Sequence, residues 1–179
     1  MSTIHNKSLF EISQEYNNTN WISIDQAYPI SLEQICDAVN IYVNLLNGDF
    51  NISGKISKNT TDSNYQIDVN AYDIPTRIRF TVAHELGHFV RHKSLLDEKG
   101  EILERKNISL YSPEQRTKEI EANQFAAELL MPEFYFLQKY ELLSKQYSTD
   151  DLIDKLADYF WVSKTAINYR MLSLGINYA

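Results

Sequence analysis

The most regular alternation of hydrophobic and polar residues lies in the stretch NYQIDVN, residues 64–70. In an extended chain its apolar side chains share one face, namely Tyr65, Ile67 and Val69. Because successive side chains of a strand point to opposite faces of a sheet, this pattern predicts a strand with one buried face. The run IYVNL, residues 41–45, also predicts a strand, and residues 50–56 are a candidate partner strand.

Two longer stretches carry the spacing of amphipathic helices. Pro75 predicts the start of a helix that ends near residue 92, since proline is favoured in the first helical turn. The pair Ser112–Pro113 predicts the start of a second helix that ends near residue 131. Between them, residues 94–106 are largely polar and predict a loop.

Shorter helices are predicted on either side of these two. Ser31 followed by Gln34 forms a capping box, which predicts a helix to about residue 40. Near the C-terminus, Thr149 and Ser163 are candidate N-caps of two short helices, the second of which ends at Gly175. The order of elements therefore predicts an α+β protein with a small sheet and a C-terminal helical tail.

The tail has the pattern of a helix-turn-helix: a first helix, a turn at Trp161 and Val162, and a capped second helix. We expect a weakly patterned N-terminal extension over residues 1–28, a main domain over 29–147 and the tail over 148–179. The tail carries four acidic residues against three basic ones. Since a DNA-binding surface is usually basic, a tail that packs on the domain or docks a protein is favoured over a DNA-binding module.

Composition narrows the functional classes. The chain has 179 residues and a formal net charge of -7, which argues against non-specific binding to nucleic acid or to anionic membranes. Its single cysteine, Cys36, excludes an internal disulfide framework and fits a reducing compartment. Neither a signal peptide nor a run of about 20 apolar residues is recognisable, so we expect a cytoplasmic protein.

The stretch FTVAHELGHFV, residues 80–90, carries the clearest chemistry. On a helical wheel, His84 and His88 lie one turn apart on the side opposite the apolar residues, so both imidazoles can reach one ion. Glu85 follows the first histidine and is placed to act as a general base on a metal-activated water. The alternative is a surface helix with two chance histidines. Gly87 predicts a close approach of another element, because glycine weakens a helix interior.

A catalytic zinc site needs a third protein ligand. His92 is a poor candidate, since it lies about 12 Å along the helix axis from His84; a polar residue at a helix end is the simpler interpretation. Glu119 falls on the predicted buried face of the second long helix, so it is either the third ligand or part of a buried salt bridge. Asn123, one turn later, is placed to hydrogen-bond the far nitrogen of a ligating histidine. Three residues of the opposite face are predicted to be solvated: Glu121, Gln124 and Glu128.

The segments RIRFTVAHELGHFVRH and EIEANQFAAELLMP together resemble the ImmA/IrrE family of metallopeptidases. The resemblance extends loosely from about Ile30 to Gly175. It implies a gluzincin-like, zincin-type fold, Zn²⁺ as cofactor with His84, His88 and Glu119 as ligands, and Glu85 as catalytic base. The family often has aspartate where this chain has Asn123.

The resemblance also implies regulated proteolysis of a helix-turn-helix transcriptional repressor. From the residues alone, the expectation is a zinc hydrolase that acts on peptides. A sheet edge beside the cleft would hold the substrate, and residues 65–70 are a candidate for that edge. The alternative is a non-catalytic, zinc-containing regulator that binds DNA or a protein partner. A structural zinc site would have four protein ligands and no base, so Glu85 favours the enzyme.

Overall fold

The computed structural model describes residues 28–47, 52–59, 64–105 and 111–176. The predicted N-terminal extension lies outside the described residues, apart from Tyr28. The described helices are α1 Leu32–Ala38, α2 Pro75–Arg91, α3 Lys93–Lys99, α4 Pro113–Leu130, α5 Glu133–Ser144, α6 Thr149–Phe160 and α7 Lys164–Ser173. The strands are β1 Ile41–Leu46, β2 Ile52–Lys58, β3 Tyr65–Asn70 and β4 Glu101–Arg105. The chain is therefore α+β, as predicted.

The four strands form one mixed sheet in the order β1-β3-β2-β4. Strand β3 pairs in parallel with β1 and antiparallel with β2, and β4 pairs antiparallel with the other side of β2. Because β3 is hydrogen-bonded on both sides, it cannot be the sheet edge that receives a substrate, and that prediction was wrong. In the described part of the chain the two edges are β1 and β4.

The prediction that β3 buries only one face was also wrong. Its apolar residues Ile67 and Val69 are fully buried, but on the other face Asp68 and Asn70 are only 3% and 4% exposed. Asp68 is satisfied there by hydrogen bonds from the side-chain amides of Asn44, at 3.0 Å, and Gln66, at 2.6 Å. These partners explain how a carboxylate is buried in the centre of the sheet.

Of the predicted loop over residues 94–106, the described residues 94–105 do not form a loop. They contribute helix α3 and strand β4, which are separated by Gly100 in the left-handed conformation, with φ of 80°. Glycine adopts this conformation without the steric cost that other residues meet, so the chain leaves the helix and enters the sheet within one residue. Leu96 anchors α3 because its side chain is fully buried.

Local signals fix the start of most helices. Pro75 opens α2, and Ser112 with Gln115 forms a reciprocal capping box at the start of α4, with hydrogen bonds of 3.2 and 2.9 Å. Ser163 caps α7 as predicted. The cap of α6 is Ser148 rather than Thr149, one residue earlier than predicted. No helix in the described ranges is both long and apolar enough to cross a membrane.

Helices α2 and α4 pack against each other at Gly87. A Cβ atom at this position would lie 3.0 Å from the Cα and the carbonyl oxygen of Ala122 and 3.2 Å from Cβ of Phe125. Both Ala122 and Phe125 are buried. The close approach predicted from Gly87 is therefore present, and it brings the inner face of α4 against the histidines of α2.

The C-terminal helices share the hydrophobic core with the rest of the protein. Phe160, Ile167 and Met171 are fully buried in the same cluster as residues of α2 and α4. Arg170, 8% exposed, donates to the Met131 carbonyl at 2.9 Å and pairs with Glu128. Glu128 is exposed, as predicted, and also forms this ion pair. The division into a main domain and a separate tail stays a prediction.

Candidate metal centre

Helix α2 presents two histidines to the interface with α4. His84 is fully buried and His88 is 1% exposed. Their Nε2 atoms lie 3.0 Å apart, as expected for residues one helical turn apart. The apolar side of α2 also packs into the core, with Val82, Leu86 and Phe89 buried, so both sides of this helix are covered by protein.

Helix α4 brings Glu119 to the same point. One carboxylate oxygen lies 3.1 Å from Nε2 of His84, and the other lies 3.5 Å from Nε2 of His88. One ligand atom from each of the three residues lies within 4.8 Å of the other two. Zinc bonds of about 2.0–2.1 Å at tetrahedral angles separate ligand atoms by about 3.3 Å, so the distances fit a single ion.

The charges of the three side chains also fit a cation. Burial alone would raise the pKa of the Glu119 carboxyl, but hydrogen bonds with His84 and His88 outweigh burial and hold this pKa at about 2. Burial lowers the pKa of His88, against an opposing hydrogen bond with Glu119. At neutral pH Glu119 therefore offers a carboxylate and His88 a neutral imidazole, the forms that bind a metal.

Asn123 lies where the sequence places it. Its side-chain oxygen is 3.0 Å from Nδ1 of His84. An amide oxygen can only accept a hydrogen bond, so Nδ1 of His84 is the donor in this contact. With Nδ1 protonated, Nε2 is the nitrogen whose lone pair would face a bound ion, in place of its hydrogen bond with Glu119. The arrangement matches the outer hydrogen bond that metal-ligating histidines usually make.

Two further residues at the site were not predicted. His92 is 6% exposed, its Nδ1 lies 3.0 Å from Nδ1 of His88, and its Nε2 lies 2.8 Å from a carboxylate oxygen of Glu121. The prediction of a solvated Glu121 was therefore wrong. His92 is not part of the three-residue cluster, which agrees with its rejection as a ligand, but it is more than a polar residue at a helix end. Its i, i+4 spacing from His88 was the available signal.

Glu85, the predicted base, is fully buried. It lies beneath β2, where a Cβ atom on Gly54 would be 3.1 Å from Oε1 of Glu85 and 2.3 Å from Cγ2 of Thr81. Glycine at position 54 therefore lets strand β2 pack directly against α2 at Thr81 and Glu85. A larger residue would push β2 away from Glu85 or displace its carboxylate.

A cleft of about 370 Å³ opens beside the cluster. His88 and Glu119 form part of its wall, together with residues of α3, β4 and the start of α4, among them Lys99, Glu101, Ile102, Tyr111 and Lys118. The edge strand at this cleft is therefore β4. Tyr111, which nothing in the sequence distinguishes from the other tyrosines, is buried in the same wall.

Residues 36–172 match the family model described as Peptidase_M78, IrrE N-terminal-like domain. Among solved structures, a Mycobacterium tuberculosis transcriptional regulator is similar, with a TM-score of 0.53 and 22% sequence identity over 80% of this chain. At that identity the likeness shows the fold alone, and this chain spans 40% of the regulator's length. No curated protein matches the chain at a significant level.

Proposed function

The chain belongs to the Peptidase_M78 family, and from this premise we propose that it is a zinc-dependent endopeptidase. The observation that carries the proposal is the convergence of His84, His88 and Glu119 beside an open cleft, at distances that fit one ion. The ImmA/IrrE resemblance of the same two segments supports zinc as the metal.

Each residue then has a defined role. His84 and His88 would hold the ion through Nε2, and Glu119 would add a carboxylate. A bound zinc ion lowers the pKa of water and polarises a carbonyl group. Glu85, which follows His84 on α2, would accept the proton of the attacking water and deliver it to the leaving amine, as a general base that becomes a general acid. Asn123 keeps His84 in the tautomer that binds metal.

The alternative is a non-catalytic regulator with a structural zinc ion. Structural sites are usually closed by four protein ligands. Within the described residues the cluster has three ligands and adjoins a cleft. These two features favour an open coordination position and hence catalysis.

Strand β4 supports the binding of an extended substrate. It is a sheet edge in the described part of the chain, and its first two residues, Glu101 and Ile102, line the cleft beside His88 and Glu119. An extended peptide can add to such an edge through main-chain hydrogen bonds. We place the substrate along β4, in the role first expected of β3.

We propose a helix-turn-helix repressor as the substrate, on the strength of the family resemblance. Helices α6 and α7, joined by a short turn at Trp161, form a helix-turn-helix-like tail that recognises this protein rather than DNA. Tyr169 and Trp161 are 70% and 47% exposed, and such aromatic side chains commonly anchor protein interfaces.

The test is the Glu85→Gln variant, loaded with zinc and compared with wild type. Both proteins are tested on casein and on purified helix-turn-helix repressors. The amide has nearly the same shape but cannot accept a proton, so cleavage should fall by about 10²- to 10⁴-fold while zinc content stays the same. Gln124→Ala, a change of an exposed residue of α4, is the control. Unchanged cleavage by Glu85→Gln would contradict the assignment of Glu85 as base.

A further inference from the structure

The two histidines of the proposed metal site have different partners on their far sides. Nδ1 of His84 faces the neutral amide of Asn123. Nδ1 of His88 faces Nδ1 of His92 at 3.0 Å, and His92 in turn faces the Glu121 carboxylate at 2.8 Å. Two successive hydrogen-bond contacts, from His88 to His92 and from His92 to Glu121, thus connect a proposed ligand to a carboxylate outside the three-residue cluster.

When a metal is bound, the protons on His88 and His92 can be arranged in only one way that satisfies both hydrogen bonds. If Nε2 of His88 binds the ion, its proton is on Nδ1 and is donated to Nδ1 of His92. A neutral imidazole carries only one N–H, so His92 must then hold its proton on Nε2. That N–H points at Glu121, which accepts it as a carboxylate.

We propose that His92 is a positioning residue that fixes the metal-binding tautomer and ring orientation of His88, and that Glu121 in turn fixes the tautomer of His92. This inference rests on the proposed function, since it presupposes that His88 binds zinc. The Glu121 carboxylate acts on His88 through the ring of His92. These hydrogen bonds raise the basicity of the His88 nitrogen that would bind the metal.

The geometry distinguishes this role from simple packing. His92 is the C-cap residue of α2, and a cap needs no particular side chain for its backbone contacts. Its side chain is 6% exposed and Glu121 is 25% exposed, so both polar ends of the imidazole are used in a nearly buried setting. An apolar ring of equal size would fill the same space without accepting the proton of His88.

The experiment measures the zinc dissociation constant by competition with a chromophoric chelator. The protein is the full chain at pH 7.5, and each variant is first shown to fold by its Tm. His92→Phe keeps a ring but removes the acceptor, and it should weaken zinc binding by about 10- to 100-fold. His92→Asn restores an acceptor near the position of Nδ1 and should recover most of the loss. Glu121→Leu should weaken binding less than His92→Phe, and Gln124→Leu, on the exposed face of α4, should have no effect.

Histidine ring ¹⁵N spectra of the zinc-loaded wild type provide a readout that packing alone would not set. They should show His88 protonated on Nδ1 and His92 protonated on Nε2. Folded His92→Phe with wild-type zinc affinity would overturn the proposal. If that variant does not fold, a zinc-loaded wild type in which His92 carries its proton on Nδ1 would overturn it equally.

The outcomes separate this inference from the proposed function. A wild type that binds zinc and has the stated tautomers, but cuts no peptide, contradicts only the proposed peptidase activity and supports the positioning role of His92. A wild type that binds no zinc contradicts both. If wild type binds zinc and cleaves peptides, and His92→Phe and Glu121→Leu bind zinc with unchanged affinity, only the positioning role of His92 is contradicted.

Discussion

At the scale of single residues, the site depends on side chains that spacing reveals and on others that it does not. His84, His88 and Glu119 could be predicted, because two helical wheels place them on faces that must meet protein or metal. The contact between His92 and Glu121 could not, since it depends on how α2 and α4 cross, and spacing along either helix does not specify the crossing. The close packing at Gly87 was predictable from the cost of glycine in a helix, whereas the need for glycine at position 54, against Thr81 and Glu85, was not.

The depressed pKa of Glu119 predicts an acid-dependent stability of the metal-free protein. A carboxyl whose folded pKa is about 2, against an ordinary value of 4.5, stabilises the fold fully above pH 4.5 and loses that contribution as the pH falls towards 2. Urea unfolding of the metal-free wild type should therefore show a decline over this window. The decline should be smaller in Glu119→Gln, which cannot titrate. An identical pH dependence of the two proteins would contradict the assigned role of Glu119 in the hydrogen bonds with His84 and His88.

At the scale of elements, helix starts followed local chemistry and the sheet did not. The prolines and capping serines specify where α2, α4 and α7 begin, because a cap satisfies backbone donors within the same few residues. Strand β4 has no such local signal. Its residues become a strand only because β2 offers an unpaired edge after Gly100 turns the chain, and this long-range pairing is invisible in the sequence pattern. The same limitation made β3 look like a half-buried strand rather than the centre of the sheet.

The placement of the substrate along β4 predicts a position-specific effect of proline. Proline removes a backbone N–H, and the N–H groups of adjacent residues in an antiparallel edge strand point alternately towards the neighbouring strand and away from it. Of Ile102→Pro and Leu103→Pro, one should lower the Tm through lost pairing with β2. The other should keep the Tm and slow cleavage of the repressor substrate.

Ile67→Pro in β3 is the control for pairing within the sheet. Because β3 is bonded on both sides, this change should destabilise the fold whichever way its amide points. Wild-type cleavage rates in both β4 variants, with the fold intact, would show that the substrate does not pair with β4.

At the scale of the whole molecule, charge and packing together argue against a DNA-binding tail. Residues 148–179 have a slight acidic excess, four acidic against three basic residues, within a chain of net charge -7. Two of the three tail cations are also engaged within the protein: Lys164 pairs with Asp154, and Arg170 pairs with Glu128. Removal of the tail to test its role would expose Phe160, Ile167 and Met171, which are fully buried, so surface substitutions such as Tyr169→Ser are the better probe of docking.

The intact protein should therefore not bind DNA specifically. Affinity for duplex DNA comes largely from lysine and arginine side chains that displace counterions from phosphates, and the tail has few to offer. A gel shift with the DNA upstream of the gene, at physiological salt and without the repressor, should show no specific complex. The repressor on the same DNA is the positive control. A specific complex with this chain alone would favour the regulator over the peptidase.

The central claim is that His84, His88 and Glu119 hold one zinc ion, and its most direct test is the metal content of purified protein by mass spectrometry. Wild type should contain about one zinc per chain, and Glu119→Ala and His84→Ala should lose it, because two remaining protein ligands hold zinc weakly. Gln124→Ala, on the exposed face of α4, should keep the full content. A folded wild type without bound zinc after exposure to the ion, or a Glu119→Ala variant that retains wild-type content, would contradict the account.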